Sequence, residues 1–124
     1  MALMKAVFDT NVLIDFLQGV SKAKALLQDY EEPLISRITW MEVLAGALNT
    51  PEEKVVRAFL AGFRLAEIDS AVAEEAIRLR SDRRLRLPDA IILATARVHK
   101  CLLITRNTRD FKSTWPEIRE PYKL

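Results

Sequence analysis

The sequence predicts a three-layer α/β/α sandwich around a central, mainly parallel sheet of four to five strands. Two observations carry that prediction. Short apolar runs alternate with helical patterns along the chain, so successive strands need crossover helices and pair in parallel. The helices open on recognisable capping residues, and one of them, near residue 90, is apolar almost all round and therefore belongs in the interior. With 124 residues, no internal repeat and no linker-like stretch, residues 1–124 read as a single domain.

The elements follow in order. "LMKAVF" (3–8) is a first strand. It ends at Asp9-Thr10-Asn11, three residue types that cap helices, so a helix follows over roughly 11 to 18. "SKAKALLQDY", after Gly19, is a second helix, and Pro33 introduces a brief strand, "LIS". From Arg37 to Leu48 the pattern is helical, with Ile38, Met41, Leu44, Ala45 and Leu48 as the expected buried stripe and Trp40 opposite it. "TPEEKVVRAFLAGF" starts with a Thr cap, a proline in the first turn and two acids. Val55, Val56, Phe59, Leu60 and Phe63 give this helix its apolar face. "RLAEI" is a short strand, and "DSAVAEEAIRLRS" a helix capped by Asp69 or Ser70. The buried helix over 88–99 comes next, then a buried strand, "CLLIT" (101–105). "RNTRDF" is a turn, and "EIREPYKL" an edge strand or tail.

Composition narrows the class. Half the residues are hydrophobic and 29% are charged, the profile of a soluble globular protein, and only three glycines are present. A formal net charge of +2 is too small to define an anionic partner. The lone Cys101 cannot form an internal disulfide and reads as a core thiol in a reducing compartment. The apolar start is interrupted by Lys5, Asp9 and Asp15, which argues against a signal-peptide core and a membrane span. A cytoplasmic location with no membrane association is expected. His99, the one histidine, closes a helix and reads as a dipole partner.

The acids are more informative. In an open parallel sheet, ligands bind beyond the carboxyl ends of the strands. Asp9 ends the first strand, while Asn107 and Asp110 follow "CLLIT". At 100° per residue, Glu42 lies about 40° from Ile38 and about 60° from Ala45, on or beside the expected buried stripe. Asp89 heads the apolar helix. Taken singly, Asp9 reads equally well as a helix cap, Asp89 as a dipole partner and Glu42 as an edge residue. Asp15, Asp29, Glu52, Glu53, Glu74 and Glu75 read as ordinary exposed helix charges. If the first four acids converge, two carboxylates about 4.5 Å apart repel by roughly 4 kcal/mol at an effective dielectric near 20. A divalent cation removes that penalty and suits phosphodiester hydrolysis.

Four segments, "AVFDTNVLIDFL", "SRITWMEVLAG", "RLPDAIILATA" and "LLITRNTRDF", span nearly the whole chain in order. Together they resemble the PIN-domain ribonucleases, in particular the VapC-type toxins of toxin–antitoxin pairs. The resemblance implies a PIN-like fold and a Mg²⁺- or Mn²⁺-dependent endoribonuclease with Asp9, Glu42 and Asp89 as its central acids. Asp110 would supply the remaining carboxylate, because Asn107 stands where relatives often carry aspartate. Thr10, Asn11, Thr105 and Asn107 would orient the ligands by hydrogen bonds. The resemblance also implies an RNA substrate, a homodimer, and a VapB-type antitoxin assembling with it into a heterotetramer or larger.

Arg83, Arg84 and Arg86 precede Asp89, and Arg106 and Arg109 occupy the other turn. Guanidinium groups there suit RNA phosphates or an acidic antitoxin segment, although a solvated helix end explains the first group equally well. Three other readings stand beside the toxin. They are a phosphoacceptor receiver domain, which would want an acidic pair after the first strand, a catalytically inactive PIN-fold binding module, and a PIN nuclease of RNA processing without an antitoxin.

Overall fold

The computed structural model describes residues 3–124. Its elements run β1 (Leu3–Phe8), α1 (Thr10–Leu17), α2 (Ser21–Gln28), β2 (Tyr30–Ser36), α3 (Arg37–Ala47), α4 (Glu53–Ala61), β3 (Arg64–Ala66), α5 (Ser70–Arg83), α6 (Leu87–Val98), β4 (Leu102–Ile104) and β5 (Ile118–Arg119). The five strands form one sheet in the order β3-β2-β1-β4-β5, and every pairing is parallel. The predicted sandwich is thus the observed architecture.

Strand alternation sorts the side chains between two cores. Val7, Leu34 and Leu103 point to the face covered by α5 and α6, where they meet Val72, Ala76, Leu79, Ile92, Leu93 and Phe111. Ala6, Phe8, Ile35 and Ile104 point to the opposite face, against Val12 and Leu13 of α1, Val43 and Leu44 of α3, and Val56 and Leu60 of α4. Helix α6 buries Ala90, Ile92, Leu93, Ala94, Thr95 and Ala96. Its one buried hydroxyl is satisfied locally, Thr95 Oγ1 donating to Ile91 O at 2.7 Å.

The chain turns outward in both directions from β1, first to β2 and β3, later to β4 and β5. The order therefore reverses between β1 and β4, and a crevice opens at their carboxyl ends. Asp9 follows β1 and Thr105 follows β4, and Asp9 N donates to Ile104 O at 2.9 Å. Between α1 and α2 the chain reverses at Gly19, whose φ of +86° suits glycine.

Three local expectations are corrected. Strand β2 begins at Tyr30 and carries Pro33 within it. It tolerates the missing N–H because β3 pairs only from Leu34 onward, leaving one edge open at that point. Helix α3 buries Thr39, Val43, Leu44 and Ala47. Met41 and Leu48, expected inside, are 52% and 50% exposed. Thr39 lies on the inner face, which rotates the buried side of α3 away from Met41 and Leu48. Trp40, expected on the outer side, packs against the second core instead and stacks under Arg37 at 4.7 Å. Among the described residues no helix is long and apolar enough to cross a membrane.

Candidate active site

Asp9 is the N-cap of α1, with Oδ1 accepting from Thr10 N at 2.8 Å. Capping accounts for only part of its environment. Oδ2 accepts from Thr105 Oγ1 at 2.7 Å and from Asn11 Nδ2 at 3.3 Å. The residue is 5% exposed. Burial pushes its carboxyl up to about 6, against the hydrogen bonds from Thr105 and Thr10, and the neighbouring charges of Asp89 and Glu42 push the same way. A plain helix cap would not face two other acids.

Glu42 is exposed, contrary to the expected buried position, because the true inner face of α3 runs through Thr39 and Val43. It still faces the site. Thr10 Oγ1 donates to Glu42 Oε1 at 2.7 Å, and Thr10 Oγ1 lies 3.2 Å from Thr39 Oγ1.

Asp89 stands in the first turn of α6, after Pro88. It does not cap that helix. The N-cap position is Arg86, with no side-chain cap bond, and no side-chain hydrogen bond reaches Asp89 among the described residues. Its carboxyl is raised by burial first, then by Asp110 and Glu42, with Arg86 opposing. The helix dipole favours an anion at this position, but the two neighbouring acids disfavour one. The placement is explained by the cluster better than by the helix.

Asp110 and Asn107 form a bracket in the turn after β4. Asn107 Nδ2 donates to Asp110 Oδ2 at 3.0 Å, and Asp110 N donates to Asn107 Oδ1 at 3.2 Å. Asn107 N in turn donates to Thr105 Oγ1 at 2.9 Å. The asparagine thus aims the aspartate, which leaves Asp110 as the acid beside Asp89.

Of the five arginines singled out, two are committed to structural partners. Arg83 pairs with Glu117 through two bonds of 3.0 and 3.1 Å and lies over the Trp115 ring at 4.5 Å. Arg106 pairs with Asp15 at 2.6 and 2.9 Å. Asp15, expected as an exposed helix charge, is 3% exposed. Burial alone would raise its carboxyl, but hydrogen bonds from Arg106 and Tyr122 outweigh burial and lower it. Glu75 also departs from the exposed reading, being partly buried and paired with Arg97. Arg84 and Arg86 remain exposed. With Arg109 and Lys112 they rim a cavity of about 330 Å³ beside Asp89 and Asp110. Arg84 ends α5 in the left-handed region, at φ 55°, which turns the chain sharply toward α6.

Among the described residues, no three Asp, Glu, His or Cys side chains stand, as they are placed, close enough together to hold a metal ion. The donor set nevertheless fits a hard divalent cation. All its atoms are carboxylate oxygens, the kind Mg²⁺ and Mn²⁺ take. The buried member, Asp9, is driven toward its neutral form first by burial, and the charges of Asp89 and Glu42 add to that push.

A parallel sheet with acids gathered beyond β1 and β4 is the arrangement of a PIN domain, and the chain belongs to the PIN domain family, whose profile matches residues 6–114. Within the family it groups with VapC-type proteins. Ribonuclease VapC10 of Mycobacterium tuberculosis is 31% identical over 123 residues, covering 94% of this chain and 92% of that protein. Among solved structures, a chain of a toxin–antitoxin complex from Klebsiella pneumoniae aligns with a TM-score of 0.90 at 45% identity, covering 96% of this chain and 99% of that one. FitAcB from Neisseria gonorrhoeae aligns with a TM-score of 0.78 at 26% identity, with the same coverage.

Proposed function

We propose that this protein is the toxin of a toxin–antitoxin pair, an endoribonuclease that cleaves RNA with a divalent metal, Mg²⁺ or Mn²⁺. The observation that carries this reading is the buried Asp9 carboxylate at the end of β1, with the acids Asp89 and Glu42 facing it from two other helices. Asp9 and Asp89 would hold the metal directly, with Glu42 and Asp110 completing the set. Bound there, the metal offsets the carboxylate charge, and it supplies the Lewis acidity that makes water a nucleophile and stabilises the phosphate transition state.

The chain's own residues do the rest. Thr105 and Asn11 hold Asp9 Oδ2 in place, and Thr10 orients Glu42 Oε1. Glu42 is exposed on that side and so can accept the proton of the attacking water. Asn107 holds Asp110 toward Asp89. In-line attack by water leaves a 5′-phosphate and a 3′-hydroxyl and needs no 2′-hydroxyl. A 2′,3′-cyclic phosphate product counts against the scheme.

Two consequences are measurable. Thr105→Val keeps the shape but removes the hydroxyl that Asp9, Asn11 and Asn107 share. Half-maximal cleavage should then require about 10- to 100-fold more Mg²⁺, read by metal titration at fixed RNA. Arg86→Ala removes a cation beside Asp89 without touching a structural ion pair. RNA affinity should fall, and the slope of log affinity against log salt should shrink by about 1. Arg83→Ala instead breaks the Glu117 pair, so its first effect is on stability.

The partner follows from the relatives, whose solved structures are toxin–antitoxin complexes. An apolar groove of about 580 Å³, lined in part by Ile14, Leu17, Val43 and Val55, adjoins Glu42. It suits the apolar side chains of an antitoxin segment lying beside the active site, and a homodimer carrying two such segments gives the expected heterotetramer. RNA incubated with the purified protein tests the reading. Cleavage in Mg²⁺ that stops in excess chelator supports it, and equal cleavage in chelator overturns it.

A further inference from the structure

Among the described residues, Asp15 is the one buried carboxylate outside the proposed metal site. Its Oδ1 accepts from Arg106 Nη2 at 2.9 Å, and its Oδ2 accepts from both Arg106 Nε at 2.6 Å and Tyr122 Oη at 2.8 Å. The tyrosine belongs to the segment after β5, which runs back over α1 and α2. There Lys22 Nζ also donates to Lys123 O at 3.2 Å.

Arg106 is where this cluster meets the site. It lies between Thr105, which donates to Asp9, and the Asn107–Asp110 bracket. Its own backbone N–H donates to Asn11 Oδ1 at 3.2 Å. Asn11 and Asp15 are four residues apart and so share one face of α1. That face grips the turn twice, once by the Arg106 backbone and once by its guanidinium. At its near end the turn is tied to the sheet through Thr105 N and Arg119 O, 3.1 Å apart, and at its far end Phe111 is buried. Between those two ends, the Arg106 pair and Asn11 carry the side-chain links to α1.

We propose that Asp15 and Tyr122 are positioning residues for the metal-binding carboxylates, acting through Arg106 to hold the turn of Thr105 and Asp110 against Asp9. This rests on the metal-dependent reading above. A bidentate pair in a buried setting holds its geometry only when the remaining lone pairs of the carboxylate are satisfied. The Tyr122 hydroxyl supplies that third bond, so the segment after β5 acts on the active-site turn through this one hydroxyl, a single-point strap from its outer side.

The test is Mn²⁺ binding by the full-length protein without RNA, measured by calorimetry beside thermal melting. Wild type and Asp9→Asn are the reference pair, and Tyr122→Phe is the variant, which removes one oxygen and leaves the ring. Tyr122→Phe should weaken Mn²⁺ by about three- to tenfold, with a melting temperature close to wild type and cleavage restored at saturating metal. Lys22→Met loosens the same segment without touching Arg106 and should bind Mn²⁺ as wild type does. Asp15→Asn, which leaves the half-buried Arg106 without its carboxylate, should weaken binding further than Tyr122→Phe.

Unchanged Mn²⁺ affinity in Tyr122→Phe overturns the positioning role while leaving the metal site standing. Equal weakening in Lys22→Met also overturns it, because tail ordering would then be the cause. A wild type that binds no Mn²⁺, or binds it equally well as Asp9→Asn, overturns the metal reading itself and the strap with it.

Discussion

Asp9→Asn should lower RNA cleavage by about 10³-fold at saturating Mg²⁺. Loss of an outer partner costs a metal site about 10- to 100-fold, and loss of a direct carboxylate ligand costs more. The stability of the metal-free protein should move differently. The Asp9 carboxyl rises from 3.8 to about 6 in the folded state, chiefly through burial, a destabilisation of about 3 kcal/mol once the group is charged. A raised carboxyl binds its proton more tightly folded than unfolded. Its contribution is therefore present below about pH 4 and is lost as pH rises to about 6. Asp89 is shifted in the same direction. Wild type without metal should thus lose stability across that window, and Asp9→Asn should flatten the loss. The amide forfeits part of this gain, because Nδ2 cannot accept the Thr105 proton. Chemical denaturation at pH 4.5 and pH 7, in the presence of chelator, reads the effect. A variant that is inactive yet no less stable at pH 7 places the lost activity on the carboxylate charge, since asparagine caps a helix about as well as aspartate and keeps the Oδ1 that accepts from Thr10.

Asp89→Asn should cost activity on the same scale, about 10²- to 10³-fold, with almost no change in melting temperature. No hydrogen bond from a described side chain depends on this carboxylate, so an amide strands no partner. Its one local contribution is to the dipole of α6, worth about 0.3–1 kcal/mol, and relief from Asp110 and Glu42 offsets that. The alternative, that Asp89 serves the helix alone, predicts the reverse: a small stability loss and full activity. Single-turnover cleavage beside a thermal melt separates the two.

Much of this architecture was legible in the sequence because its signals are local. The strand "LMKAVF" followed by Asp-Thr-Asn, the Asp69 cap that accepts from Val72 N at 2.9 Å, and the apolar run after Pro88 each announce an element within a few residues. The α3 face was not legible. A fully buried Thr39 and an exposed Met41 invert what hydrophobicity suggests, and only tertiary packing decides between them. Hydrophobic periodicity points to Glu42 through a buried stripe that the fold does not have, yet the residue reaches the site through Thr10.

The Asp15–Arg106–Tyr122 cluster was invisible for a different reason. Its members are 91 and 107 residues apart, and on its own helix Asp15 looks like any solvent-facing acid. The same holds for Arg83, whose partner Glu117 lies 34 residues on. Sequence placed both arginines near the active site, but their pairing takes up the charge that RNA would need. Arg84, Arg86 and Lys112 remain for that role, with the exposed Arg109, whose Nε stands 3.8 Å from Asp110 Oδ1.

The central claim is that Asp9, Glu42, Asp89 and Asp110 share one divalent cation site at the carboxyl ends of β1 and β4. Anomalous diffraction from crystals equilibrated with Mn²⁺ tests it most directly. The account predicts a strong peak within coordination distance of Asp9 and Asp89, with Glu42 and Asp110 drawn toward it. A crystal saturated with Mn²⁺ that shows no peak there, or a peak bound only by other residues, would contradict it.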